Sequence, residues 1–138
     1  MISLQPVLPA DMSVLWVELG NQASFRRSLP YINQTFFQRS VITANRIQES
    51  GDIRGFHLQT KPSDEFRAYG ERESLLMIYP EYQRQGIGTQ VMSLIHEDSD
   101  AGFFVSSKSN PASSAFFQKQ TFLALVDETD RYRVYSRT

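Results

Sequence analysis

The apolar positions of this chain change their period several times between Met1 and Thr138. Ile2–Val7 alternates weakly and predicts a strand. Pro9 and Asp11 then open a segment in which Met12, Leu15, Trp16 and Leu19 recur at spacings of three and four. That spacing makes one helical face, and Gly20 closes it. A second, less regular helix is predicted within Ala23–Gln38, interrupted near Pro30. Val41–Ile47 and Ile53–Thr60 are strand-like, and the polar stretch Glu49-Ser50-Gly51-Asp52 joins them as a hairpin turn. Lys61–Gly70 is polar, carries Pro62 and Gly70, and reads as a loop.

The second half is more regular. Glu73–Tyr79 is a strand whose unbroken apolar run, Leu75–Tyr79, predicts a central position buried on both faces. Pro80 ends it, because proline cannot donate to a neighbouring strand. Thr89–Glu97 is a helix with Ile87, Val91, Leu94 and Ile95 on one face. Asp98 and Asp100 disfavour its continuation, since acidic residues oppose a helix C-terminus. Gly102–Ser106 is a short strand. Asn110 then suits an N-cap and Pro111 a first helical position, for a helix running to about Gln120. Phe122–Val126 and Tyr132–Tyr135 close the chain as a pair around Glu128-Thr129-Asp130. The predicted order is β-α-α-β-β-β-α-β-α-β-β. It points to an α/β (α+β) fold with a mixed central sheet and helices on both faces.

Composition narrows the picture. With 138 residues, 41% hydrophobic and 21% charged, and no repeat or linker, the chain reads as one domain over 1–138. A formal charge of −1 gives no basic excess, so no nucleic-acid partner is expected. Cysteine is absent, which excludes disulfides, thiolate metal sites and a cysteine nucleophile. The longest apolar runs, Leu75–Tyr79 and Phe122–Val126, are too short to span a membrane, and the N-terminus shows no secretory pattern. A cytoplasmic protein without a membrane partner is the expectation. His57 and His96 lie far apart with no ligand spacing around them, and Glu97-Asp98-Asp100 reads as a solvated helix end, so no metal is expected.

The chemistry concentrates between Leu76 and Met92. An apolar strand runs into Pro80, and a polar loop delivers Gly86 and Gly88 to the start of an amphipathic helix. Glycines let backbone approach an anion, and the first amides of a helix have no internal partners. A plain strand-to-helix turn is the simpler reading of two glycines alone. A dinucleotide fingerprint is disfavoured because its third glycine would fall at Val91, and a Walker loop is excluded because no Gly-Lys-Ser/Thr follows. The run Gln83-Arg84-Gln85-Gly86-Ile87-Gly88 resembles the acetyl-CoA signature Gln/Arg-x-x-Gly-x-Gly/Ala of the GCN5-related N-acetyltransferases. The predicted order of elements is that of the same family. On this reading the amides from Gln85 to Thr89 hold the pyrophosphate of acetyl-CoA, with the helix dipole behind them. Arg84 either adds charge at the rim or is a solvated loop arginine. The resemblance further implies a splay between the strands holding Leu76–Ile78 and Gly102–Ser106. Pantetheine would fill it, pairing with the backbone of Leu76, Met77 and Ile78.

A second block, Asn110 to Phe122, is similar to the family's Asn-x-x-Ala-x-x-Leu-Tyr-x-Lys-x-Gly-Phe. Asn110 is placed to cap its helix and, by resemblance, to contact the pantetheine arm. Ser113, Phe116 and Thr121 depart mildly. Phe117 departs more, standing where many relatives carry the tyrosine that protonates the leaving thiolate. Phenylalanine has no such proton; it either packs against the thioester or fills the core. Water, Ser106, Ser107, Tyr79, Tyr132 and Tyr135 remain as candidate acids. For the base the resemblance implies Glu73, with Glu71 second; a solvated strand end is the other reading of both. The glutamate that another group of relatives carries at the position of Val105 is absent.

The implied activity is acetyl transfer from acetyl-CoA to a primary amine of a small molecule or a peptide. The resemblance draws the acceptor pocket from Ala23–Gln38 and Asp127–Tyr135. There Tyr31, Phe36, Phe37, Tyr132 and Tyr135 line a pocket or fill the core, and Arg26 and Arg27 attract a carboxylate or sit in water. Pairing as a homodimer is common among relatives. The alternative function is a non-catalytic acyl-CoA-binding or sensing module.

Overall fold

The computed structural model describes residues 1–21, 37, 39–97 and 102–137. Seven strands form one sheet in the order β1-β2-β3-β4-β5-β7-β6. They are β1 (Ile2–Pro6), β2 (Val41–Glu49), β3 (Asp52–Thr60), β4 (Glu73–Ile78), β5 (Phe103–Ser107), β6 (Leu123–Glu128) and β7 (Tyr132–Arg137). All neighbours are antiparallel except β4 and β5. The helices are α1 (Met12–Gly20), α2 (Ile87–His96) and α3 (Pro111–Gln118). A parallel pair needs a crossover, and α2 supplies it between β4 and β5.

Alternation along the strands sorts the core onto two faces. On one, Leu15 and Leu19 of α1 pack with Phe37 against Ala44, Phe56 and Leu58, with Leu75 and Met77 beside them. On the other, Ile87, Val91, Met92 and Ile95 of α2 and Phe117 of α3 pack with Ile47, Phe104 and Tyr135. Helices therefore cover both faces, as the pattern predicted. The predicted helix Ala23–Gln38 lies almost wholly outside the described residues, as do Tyr31, Phe36, Arg26, Arg27, Asp98 and Asp100.

Three expectations need correction. Leu94 does not join the apolar stripe of α2; it is exposed, and Met92 takes the place. Positions 87, 91 and 95 define the stripe axis, and Met92 falls nearer the sheet than Leu94 does. The helix begins at Ile87, two residues earlier than predicted, because a left-handed Gly86 (φ 79°) already turns the chain into it. β4 is central, but Leu75 to Ile78 are only half-buried. The loop 61–72 contains a single 3-10 turn, Arg67–Tyr69, and is less polar in packing than in composition. Phe66 meets Tyr132 edge-on at 5.2 Å, and Tyr69 lies 5.9 Å from Phe103. The Tyr69 hydroxyl donates to Asp127.

Gly102 marks where β4 and β5 are pinned. It has φ 80°, and a Cβ there would stand 2.3 Å from the Arg72 carbonyl oxygen. The next amide, Phe103, donates to that same oxygen at 3.1 Å. Gly102→Ala should therefore destabilise the fold by at least about 2 kcal/mol, from left-handed strain plus displaced backbone. Urea unfolding checks this; a loss under about 0.5 kcal/mol would contradict it.

Candidate functional site

The site begins with strand pairing that stops. β4 and β5 are matched at Glu73 with Phe103 and Ser74 with Phe104, and no further. β4 nevertheless stays on β3 as far as Ile78, and β5 stays on β7 as far as Ser107. Each strand follows its other neighbour, and the two part into a wedge. The Tyr79 amide donates to Arg54 on β3 at 2.9 Å. Because backbone groups alternate sides along a strand, Leu76 and Ile78 turn theirs into the wedge. Met77 turns its own toward β3. Of the three residues assigned to backbone pairing, two present it to the gap.

The Gln83 amide donates from Nε2 to the Ile78 carbonyl at 2.9 Å. The resemblance assigned Gln83 to the cofactor; here its side chain caps the end of β4. It leaves the Ile78 amide and both backbone groups of Leu76 without partners among the described residues.

At the wide end of the wedge the chain makes one 3-10 turn, Pro80–Tyr82, and enters α2. Arg84 (φ 64°) and Gly86 (φ 79°) are both left-handed, so the loop curls its amides inward. Gln85 is held by its side chain, which donates to the Glu81 carbonyl at 3.3 Å. The first bond of the helix runs from the Gln90 amide to the Gly86 carbonyl, at 3.1 Å. The amides of Ile87, Gly88 and Thr89 precede it and find no acceptor among the described residues. No side chain caps this terminus. Gly88 is needed for packing: a Cβ would meet the Phe116 ring at 3.0 Å, so α2 and α3 could not approach as closely. Gln83 to Gly86 and Thr89 are exposed, leaving the cradle open.

α3 starts as its sequence predicts. Asn110 Oδ1 accepts the Ser113 amide at 3.3 Å, and Pro111 occupies the first turn. Phe117 is buried, 5.1 Å from the Phe104 ring and 5.5 Å from the Tyr135 ring. The other candidate acids separate clearly. Ser106 is buried with its hydroxyl 2.6 Å from that of Ser114, and Ser107 pairs with Ser109 at 2.7 Å. Tyr132 packs on Phe66, on the opposite face from Phe117. Tyr79 packs on Phe56, and burial with Glu18 and Glu81 nearby pushes its phenol up to about 12. Tyr135 shares the Phe117 cluster, and its buried hydroxyl has no partner among the described residues.

Glu73 sits at the closed end of the wedge, on the face of Leu75 and Met77. It has no ion-pair partner among the described residues, and burial pushes its carboxyl up to about 7. Glu71 is exposed. His57 is buried with Nε2 3.3 Å from the Ser74 hydroxyl, and His96 stacks on Phe122 at 4.1 Å. Among the described residues no group of three potential ligands could hold a metal ion, and no helix is long and apolar enough to cross a membrane.

The glycine loop before α2, the Asn110 cap and the start of β4 at Glu73 take the local structure that the sequence pattern predicted. That pattern missed Phe66 and Tyr69, whose signal was two aromatics three residues apart in an otherwise polar loop. It also missed Gly102 as the pin of the wedge.

No family model and no curated protein sequence matches the chain. Solved structures do. An acetyltransferase from Thermus thermophilus superposes with a TM-score of 0.68 at 20% identity, covering 98% of this chain and 95% of its own. The aminoglycoside acetyltransferase AAC(6')-Ib, in complex with coenzyme A, gives 0.69 at 16% identity over 98% and 92%. A spermidine N-acetyltransferase chimera from Vibrio cholerae gives 0.62 at 12% over 99% and 95%. The chain has the acetyltransferase fold that its sequence pattern resembles.

The shifted carboxyl has a stability consequence. Between the ordinary carboxylate range and about pH 7 the folded chain keeps a proton on Glu73 that the unfolded chain has lost. Stability from this group therefore falls as pH rises through that window and is constant above it. Glu73→Gln removes the dependence. The variant should gain on the order of 2 kcal/mol over the parent at pH 8 and nothing at pH 4, measured by urea unfolding at both.

Proposed function

We propose that the protein is an acetyl-CoA-dependent N-acetyltransferase acting on a primary amine. The observation that carries the reading is one continuous track. Free amides at Ile87, Gly88 and Thr89 lead into a wedge edged by the unpaired backbone of Leu76 and Ile78, which ends at an unpaired carboxyl on Glu73. These residues fit the donor. A pyrophosphate suits a helix N-terminus, and an amide-bearing arm suits an unpaired strand edge. Bound acetyl-CoA supplies a reactive thioester whose thiolate is a fair leaving group.

The residues of the chain do the remaining work. Leu76 and Ile78 fix the arm, so the acyl carbon is held where the amine arrives. A wedge-facing amide of β4 polarises the acyl carbonyl. Glu73 takes the proton of the incoming amine. The nitrogen bonds to the acyl carbon as the carbon–sulfur bond breaks, the sulfur takes a proton from a water that Glu73 re-protonates, and the amide, free CoA and the Glu73 carboxylate result. A carboxyl near pH 7 is well matched to this, because about half is ionised at neutral pH. Phe117 donates nothing and contributes shape.

A second reading, an acyl-CoA-binding module without turnover, is favoured only by the phenylalanine at 117. Calorimetric titration with acetyl-CoA, with Gly86→Asp as control, tests the site. Binding should weaken at least about 100-fold in the variant, because the new carboxylate meets the pyrophosphate and the left-handed φ is lost. No binding to the parent chain would remove both readings. Binding without turnover of any amine would leave only the second. Where there is turnover, kcat/KM should rise with pH through about 7, and Glu73→Gln should lose roughly 10²- to 10⁴-fold and that limb of the profile.

A further inference from the structure

We infer that the chain carries a separate small-molecule site, for a monocarboxylate on an apolar body, in a cleft between β1–β3 and the C-terminal half of α2. The cleft has a volume of about 400 Å³. Thr43 of β2 and His57 and Gln59 of β3 line its floor, and Arg72, one residue before β4, joins them. Leu4 and Pro6 of β1 and Leu94 and Ile95 of α2 form apolar walls. None of the residues lining it belongs to the track from Thr89 to Glu73, so the site stands or falls apart from the transferase reading.

The floor is unusual because its polar groups are buried. On β3, Phe56 and Leu58 pack toward α1, so His57 and Gln59 face the other way. A sheet face of this kind is ordinarily either apolar and covered or polar and wet. Here His57 is 4% and Gln59 3% exposed. Each is held in place. His57 Nε2 lies 3.3 Å from the buried Ser74 hydroxyl. Gln59 Oε1 accepts from the Thr43 hydroxyl at 3.1 Å and from Arg72 Nη1 at 3.0 Å. Those two bonds fill both acceptor positions of the oxygen and orient the guanidinium.

Arg72 decides the charge of the ligand. It is half-buried, and a neutral amide that takes one of its donors balances none of its charge. No described carboxylate pairs with it. Glu71 is exposed, and Glu73 lies on the face of Leu75 and Met77. Glu18 and Glu49 hold Arg46 and Arg54. Asp11 is exposed before α1, and its charge acts on Arg46. Glu97 lines a different groove, with His96 and Lys119. A carboxylate answers a guanidinium with charge-assisted, paired hydrogen bonds. The walls then ask for an apolar body behind the carboxylate. Leu94 lines the cleft yet is 39% exposed, and an alkyl or aryl chain lying there removes it from water. The volume falls within the range of small-molecule pockets, roughly 300 to 1,000 Å³.

Titration calorimetry tests the site with hexanoate, hexanamide and acetate as probes, with and without excess CoA. Hexanoate should bind at least about tenfold tighter than hexanamide, which lacks the charge, and than acetate, which lacks the chain. CoA should leave the hexanoate affinity unchanged. Two variants place the probe. Arg72→Gln should weaken hexanoate at least about tenfold and leave hexanamide as it was. Leu94→Glu sets a carboxylate against the apolar walls and should weaken hexanoate as much. Position 94 is exposed, so this variant carries the test if Arg72→Gln fails to fold. Displacement of hexanoate by CoA would put the probe in the wedge and overturn the site. Equal affinity for hexanoate and either control, or unaltered binding in either folded variant, also overturns it. So does no binding of hexanoate up to about 10 mM. Asp98 and Asp100 lie outside the described residues, and a carboxylate of either on Arg72 would give that last result. None of these outcomes touches acetyl-CoA binding, which the Gly86→Asp titration reads separately.

Discussion

The site depends on two parallel strands that are pinned together and then kept apart. The pin is the Phe103 amide on the Arg72 carbonyl, made at a glycine because no side chain fits beside that oxygen. Two matched residue pairs follow. After them β4 remains paired to β3 and β5 to β7, and each ladder dictates a direction. Parallel pairing is the weaker kind per residue, so it is the one that yields. Leaving strand edges unpaired in the middle of a sheet is costly where the groups are buried. The half-burial of Leu75 to Ile78 fits that rule, since water reaches the edge.

The second device is the loop that follows. Gln83 caps the last carbonyl of β4, and this has two effects. It ends the strand edge at a definite residue, and it fixes the loop whose next turn delivers Gly86. Left-handed backbone at Arg84 and Gly86 then turns the chain into the helix, whose first amides have no acceptor among the described residues. The seven residues Gln83–Thr89 thus terminate a strand, start a helix and leave three amides without an acceptor among the described residues. A sequence motif that dense has little freedom to vary, which is why it was the most readable part of the chain.

Legibility followed locality. The helix cap at Asn110 and the glycine loop depend on residues within a few positions, and the sequence stated them almost to the residue. The start of α2 was misjudged because a left-handed glycine begins a helix without a capping side chain to announce it. Leu94 was misplaced because periodicity gives a stripe but not its centre; the sheet beneath chose Met92. The half-burial of β4 was hidden because an apolar run looks the same whether strand or ligand covers its edge. The packing of Phe66 and Tyr69 onto β5 and β7 was not readable at all, since it joins segments more than thirty residues apart.

The proton chemistry closes the argument. In water an alkylammonium, with a pKa near 10, is far from giving its proton to an ordinary carboxylate near 4. Burial moves the two groups toward each other, because it disfavours whichever form is charged. Glu73, raised to about 7 by burial, has already moved from one side. Burial beside it would move a bound ammonium from the other. On the N-acetyltransferase reading proposed above, this is how a chain with phenylalanine at 117 does without a tyrosine acid. When the amine is bound nearly neutral beside a matched base, the demanding proton is the one on nitrogen, and the thiolate can take its own from water.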